Sequence, residues 1–305
     1  MRDYSVSVYF ARAVLKNAVA QGLDPLSLLR KTRISPRLLL EEGARISVER
    51  FADLQVNTML AMDDEALGYV SRRMPIGCWS MMCHAVIGSE TLGQAMARYC
   101  RFYQLFEFGA HPHFEVNGDE ARIQVKTAET VTPNPYMVEL LLFNAHRFFS
   151  WLIREHLPLQ VANLAYPPAA QITDYRAMFL GNPVDFDQAA SEIVFSSALL
   201  ERRVVQTEQS LRHFLRHPVL MLLTESYAKA SWTARVRETV HQNLADMPEL
   251  NDVAAMLEVH PQTLRRRLSA EGTTFKEIKS QVRRDTALYF LCKQGLTIEE
   301  IAHRA

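Results

Sequence analysis

The chain has 305 residues, 48% of them hydrophobic and 22% charged, with 34 basic against 34 acidic side chains. That composition belongs to folded, soluble domains and excludes a largely disordered chain, and the length suits two domains. Zero net charge argues against a protein that coats polyanions along its whole length, but leaves room for a local basic patch.

The opening stretch, "MRDYSVSVYFARAVLKNAVA", mixes charges through its apolar residues and is no signal peptide. No segment approaches the ~20 apolar residues that cross a bilayer, so no membrane association is expected. The cysteines Cys78, Cys83, Cys100 and Cys292 are too few for a disulfide framework and read as reduced thiols, which makes the cytoplasm the expected location.

Helical patterns dominate residues 1–70. "VYFARAVLKNAVAQG" carries an apolar stripe that Gly22 stops. Asp24 caps a short helix beginning at Pro25, and Ser35-Pro36 repeats the device over "SPRLLLEEG". Ser47 opens a longer helix through Phe51, Leu54, Met59 and Leu60.

The texture changes between about 75 and 200. A helix capped by Ser89 runs through Tyr99 to Phe106, and Asn117-Gly118-Asp119 sits between alternating runs as a hairpin turn. A long apolar helix over 136–154 is expected to end at Pro158. "LQVANLAYPPAA" reads as a strand, and "PVDFDQAASEIVFSSALL" as a strand pair followed by a short helix. Such a mixture indicates an α+β or α/β regulatory or catalytic domain, and periodicity does not choose between them.

From about 207 the chain is helical, with one or two linking helices broken near Pro218. In "NDVAAMLEVHPQTLRRRLSAEG", Val253, Ala254 and Leu257 form the apolar side of one helix. Val259 plugs the core of a turn, His260 serves as cap, Pro261 starts the next helix, and Leu264 and Leu268 face inward. Gln262, Thr263, Arg265, Arg266 and Arg267 are left pointing mostly outward. Two helices joined by a few residues, the second rich in Arg and Gln, have the layout of a helix-turn-helix. Between 261 and 293 eight bases face three acids, an excess of five on a neutral chain, which is what phosphate contact requires. A merely solvated basic face would leave the turn unexplained.

Thr274 and Glu277 form a capping box for a long helix that Gly295 terminates. The final "LTIEEIAHRA" then starts another with Thr297 and Glu300. Its Ile298, Ile301 and Ala305 repeat Leu250, Val253 and Leu257 at an offset of 48 residues.

Taken together, "LNDVAAMLEVHPQTLRRRLSAEGTTFKEI", "VRRDTALYFL" and "LTIEEIA" resemble the DNA-binding domain of AraC/XylS-type bacterial transcription regulators, two helix-turn-helix units bridged by a long helix. The resemblance implies that the chain stops inside the second unit. It also implies Gln262, Arg265 and Arg266 as base-contacting residues, with Thr263, Arg267, Arg283 and Arg284 as phosphate or supporting contacts. An Arg can pair bidentately with guanine and a Gln with adenine, for ~1–3 kcal/mol of discrimination each.

Upstream, "YPPAAQITDYRAMFLGNPVDFDQAASEIVFSSALLERRV" and "IGSETLGQAMARYCRFYQLF" resemble the arabinose-binding-like regulatory domain of the ornithine-utilisation-regulator-like subgroup. This implies a small-molecule effector, either an amino-acid-like metabolite or an apolar acid. The expected fold is α+β, with an N-terminal mixed helix/strand effector-binding domain (1–206), a helical linker (207–230) and an all-α helix-turn-helix domain (231–305). The expected partners are promoter DNA, the effector, a second copy in a homodimer, and RNA polymerase if the protein activates. A ligand-binding and dimerising fragment that no longer binds its full operator is the competing reading.

A pocket between the aromatic-rich helices at 95–108 and 136–154 would be largely apolar. Arg98, Arg101, Phe102, Tyr103, Tyr136, His146 and Arg147 are its candidate lining and anchors. "GCWSMMCHAV" has neither Cys-x-x-Cys nor Cys-x-x-Cys-His spacing, so no metal is expected. With no His-Glu-x-x-His, phosphate loop or Gly-x-Ser-x-Gly, neither a cofactor nor an enzyme is expected.

Overall fold

A computed structural model describes residues 5–41, 43–128, 133–169, 172–224, 232–243, 248–270, 273–280 and 282–283. The fold is α+β. Two short strands, β1 (Ser5–Ser7) and β2 (Arg45–Ser47), pair antiparallel with Ser5 opposite Ser47. Each delivers its last residue as a helix cap. The Ser7 hydroxyl accepts from Tyr9 N at the start of α1 (Val8–Ala20), and the Ser47 hydroxyl from Arg50 N at the start of α3 (Val48–Met62). Between them, α2 (Pro25–Lys31) begins as expected, with the Asp24 carboxylate accepting from Leu26 N and Ser27 N. Residues Pro36–Leu40 form a 3-10 turn instead of an α-helix, and Ser35 makes no capping bond.

The main sheet has five strands in the order β3-β4-β7-β5-β6: β3 (Ala110–Asn117), β4 (Glu120–Thr127), β5 (Val161–Asn163), β6 (Val184–Asp185) and β7 (Glu192–Ser196). The β3–β4 hairpin has Gly118 at φ +58°, a conformation that glycine adopts without penalty. The expected pair at 184–196 is not formed. The last two strands are separated by β5, parallel to β6 and antiparallel to β7. A register of this kind is set by strands distant in sequence, so no local pattern announces it.

Three helices build the core over this sheet: α4 (Cys78–Ile87), α5 (Leu92–Gln104) and α6 (Pro135–Ile153). The hydroxyl of Thr91, not Ser89, caps α5 by accepting from Gln94 N. The aromatic helix α6 ends at Arg154 in the left-handed conformation, ahead of Pro158. Tyr99, Phe148 and Phe149 are wholly buried, with Tyr99 and Phe149 ring centres 5.1 Å apart. A short helix, α7 (Ile172–Met178), follows β5, and then α8 (Glu208–Phe214) and α9 (Pro218–Thr224) pack back on α4 and on α3 and α6 respectively.

A separate apolar cluster joins α10 (Trp232–Gln242), α11 (Leu250–Met256), α12 (Pro261–Ala270) and the helical residues 275–280. Val236, Val240, Val253, Ala254, Leu264, Leu268, Ile278 and Val282 form its buried centre. Gly295, Thr297, Glu300 and the repeat at 298–305 lie outside the described residues. Among the described residues, no helix is long and apolar enough to cross a membrane.

Candidate DNA interface and effector cavity

The turn between α11 and α12 is built from its own sequence. Glu249 and Asp252 close a capping box at the start of α11. The helix ends at Leu257, and Glu258 adopts φ +56°, which reverses the chain. Val259 N then donates to Ala254 O at 2.9 Å, tying the turn to the first helix. His260 Nδ1 accepts from Gln262 N at 3.3 Å and so caps α12, whose first residue is Pro261.

Leu264 and Leu268 are four positions apart and turn inward, 0% and 1% exposed. Gln262, Arg265 and Arg266, spaced three and four apart, share the exposed side of α12. Thr263 and Arg267 are half-buried. The Arg267 guanidinium lies 4.1 Å from the centre of the Trp232 ring, and that of Arg235 lies at the same distance. Arg267 is therefore held by a cation–π contact on α10. The Thr274–Glu277 capping box forms, and Lys279 Nζ reaches Glu249 Oε1 at 2.7 Å, linking the following helix to the start of α11. Arg283 is exposed; Arg284 lies outside the described residues.

A cavity of about 920 Å³ borders α6 and is reached from α5 only by Tyr103, so it is not enclosed between those two helices as expected. Between α5 and α6 the rings of Tyr99, Phe148 and Phe149 are buried against one another. The cavity opens instead among α3, α6, the end of α7 and α9. Phe51, Met59, Met137 and Phe143 give it apolar walls, and Arg237, Lys276 and Glu277 from the C-terminal helices complete its outer side.

Of the residues nominated from sequence, Tyr103, Tyr136 and Arg147 line this cavity. Arg98 and Arg101 do not; they project into solvent from the outer face of α5. Phe102 packs edge-on against Tyr103 and tilted against Phe106 and is not part of the wall. His146 is fully buried with its Nε2 donating to Leu157 O at 2.9 Å, and burial holds its pKa well below the usual value. A neutral imidazole facing a backbone carbonyl is no carboxylate anchor. Arg147 is engaged too, its Nε donating to Met178 O at 3.0 Å and its Nη2 to Ala177 O at 2.7 Å, where it caps the end of α7.

The polar groups that stand out in the wall are others. Glu139 is 1% exposed in the second turn of α6. Its Oε1 accepts from the Tyr175 hydroxyl at 2.9 Å, and its Oε2 has no hydrogen-bond partner. Burial pushes its pKa up from 4.5 to about 7, against the opposing influence of the Tyr175, Tyr166 and Tyr9 hydroxyls. Nearby, Arg45 Nη1 pairs with Asp174 Oδ1 at 2.7 Å, while its Nε and Nη2 donate to Ser5 Oγ and Ser5 O. Asp174 Oδ2 is likewise without a partner. Glu139 left one trace in the sequence, a lone acid within "PYMVELLLF". Arg45 and Asp174, 129 positions apart, left none.

Residues 22–204 match the family described as the arabinose-binding domain of AraC transcription regulators, N-terminal part. The chain belongs to the AraC family of transcription regulators. It is 26% identical over 301 residues to the ornithine utilization regulator of Pseudomonas aeruginosa, covering 97% of this chain and 88% of that one. It is 24% identical over 290 residues to the HTH-type transcriptional regulator VirS of Mycobacterium tuberculosis, covering 92% and 83%. Among solved structures, the transcriptional regulator CdpR from Pseudomonas aeruginosa aligns over 97% of this chain and 90% of its own, with 20% identity and a TM-score of 0.34. As an AraC-type protein, the chain is a DNA-binding transcription regulator with an effector-binding domain.

Proposed function

We propose that α12 is the recognition helix, with Gln262, Arg265 and Arg266 on base edges in the major groove and Thr263, Arg267, Arg283 and Arg284 on phosphates or supporting them. One observation carries this reading: the three side chains are exposed together on the side of α12 away from buried Leu264 and Leu268. A helix entering the groove must present its donors in this way. Arg267 acts chiefly in support, since Trp232 already engages its guanidinium.

The 920 Å³ cavity is the proposed effector site. It is large enough for a metabolite, mostly apolar, and bordered by both the α6 region and the C-terminal helices. Its shared border supports direct coupling, because a ligand filling it must favour one placement of the C-terminal helices over another. The reading divides the chain into an effector-binding part (1–206), a linker (207–230) and a DNA-binding part (231–305). Family resemblance adds a homodimer in the cytoplasm, which contacts RNA polymerase where it activates. The relative named for ornithine utilisation makes amino-acid-derived metabolites the first effectors to try.

Selection of duplexes from a random pool by the full chain, followed by titration of the enriched motif, tests the DNA assignment. Arg266→Ala should relax preference at one base pair by ~1–3 kcal/mol. An unchanged preference, or no enriched motif, would remove α12 from the reading role.

A further inference from the structure

Trp232, in the first turn of α10, carries two cations. The guanidinium carbons of Arg235 and Arg267 each lie 4.1 Å from the centre of its ring, so the two charges are no further apart than twice that distance. Among the described residues, neither of these side chains donates a hydrogen bond or meets a carboxylate. Elsewhere arginines are neutralised locally, Arg45 by Asp174, Arg73 by Asp63 and Arg122 by Glu120. Contact with a ring leaves most of a guanidinium's five donors open. Two like charges gathered on one ring repel, and an anion set beside them relieves the repulsion and accepts their N–H groups.

The place of this cluster in the fold says which anion. On α12, Leu264 and Leu268 face inward and Gln262, Arg265 and Arg266 are exposed, while half-buried Arg267 lies on the flank against which α10 packs. Arg235 extends that flank from α10, one turn beyond Trp232. A helix with its side chains is about 10–12 Å across and the major groove about 12 Å wide, so the flanks of a seated helix meet the phosphate ridges.

Resting on the reading of α12 as recognition helix, we infer that Arg235 and Arg267 together bind the phosphate backbone of one strand at the groove's edge, with Trp232 as the positioning residue that holds both. Arg235 thus contacts DNA from α10, outside the helix-turn-helix formed by α11 and α12. Guanidiniums already held on a ring lose less freedom on binding than free ones. Phosphates are alike under every base pair, so the site adds affinity and orientation without sequence preference.

Anisotropy titrations of the full chain on its enriched duplex, repeated at several salt concentrations, read the number of phosphates engaged. Arg235→Gln should lower the slope of log affinity against log salt by about one and weaken binding to all duplexes alike severalfold, with the preferred motif kept. Arg235→Lys, which keeps a cation, should keep the slope. Arg101→Gln on the outer face of α5 removes the same charge from the chain and should change neither quantity. A second measurement needs no variant. Bound duplex should protect Arg235 and Arg267 of the wild type from phenylglyoxal, read by mass spectrometry, and leave Arg101 reactive. An unchanged slope for Arg235→Gln, whatever its melting temperature, or an Arg235 equally reactive with and without duplex, overturns the phosphate site; α12 remains the reader if Arg266→Ala still relaxes the motif. Should Arg266→Ala change no preference while the Arg235→Gln slope falls, α12 loses its reading role and the backbone contact stands. A wild type that binds no duplex overturns both.

Discussion

Glu139 should make the effector-free protein less stable as the solution turns from mildly acidic to neutral. The folded state holds its proton more tightly than the unfolded chain, because burial raises the carboxyl from 4.5 to about 7. Stability from this group is therefore fully present below about pH 4.5 and is lost as pH rises through about 7. At ~1.36 kcal/mol per pH unit that interval amounts to about 3 kcal/mol, and the side chain is only 1% exposed, so solvent screening removes little of it. Glu139→Gln has no proton to exchange. Its constant effects, such as an amide nitrogen seeking an acceptor, shift the whole curve without bending it. The quantity to measure is the difference in unfolding free energy between wild type and variant, from urea titrations followed by Trp79 and Trp151 fluorescence. That difference should move by about 3 kcal/mol in the variant's favour between about pH 4.5 and 7 and level off above. A flat difference across the window would refute the claim that Glu139 is ionised only at a cost.

Three further outcomes are expected. Leu264→Ala empties a wholly buried position in the C-terminal cluster and should cost about 2–5 kcal/mol there, abolishing DNA binding while Trp79 still reports ligand; loss of both signals together would show the two clusters to be one cooperative unit. Trp232→Ala frees Arg267 from its ring contact and should weaken binding severalfold for all duplexes alike, as seen by anisotropy, without changing the preferred motif. At Gly109, with φ +85°, an added Cβ would sit 2.5 Å from Ser71 Oγ, so Gly109→Ala should lower the melting temperature by an amount equivalent to about 1–3 kcal/mol.

What was legible in the sequence depended on the range of the interaction that decides it. Asp24-Pro25, Asn117-Gly118 and His260-Pro261 act within a few residues, and the helix starts and turns they mark are found in place. The cap of α4 had no such signal. Glu65 accepts from Gly77 N and Trp79 N, both at 2.7 Å, from more than ten residues upstream. Ser35 and Ser89 have the right chemistry for caps but do not serve, and at α5 Thr91 takes the role. Arg98 and Arg101 stand out in the sequence by charge alone. On α5 they fall outside the buried stripe of Leu92, Ala95, Met96 and Tyr99, and both side chains are solvated. Arg45, Glu139 and Asp174 of the cavity wall were hidden because they come to one wall only once β2, α6 and α7 are assembled.

The outer wall of the cavity comes from Arg237, Lys276 and Glu277, on the same helices that support α12. If a small molecule's grip depends on where those helices stand, thermodynamic reciprocity works in both directions. Seating the protein on a promoter must change the small molecule's dissociation constant by the same ratio by which the small molecule changes promoter occupancy. Titrating the metabolite with and without a short operator duplex would thus measure the regulatory switch without transcribing any gene.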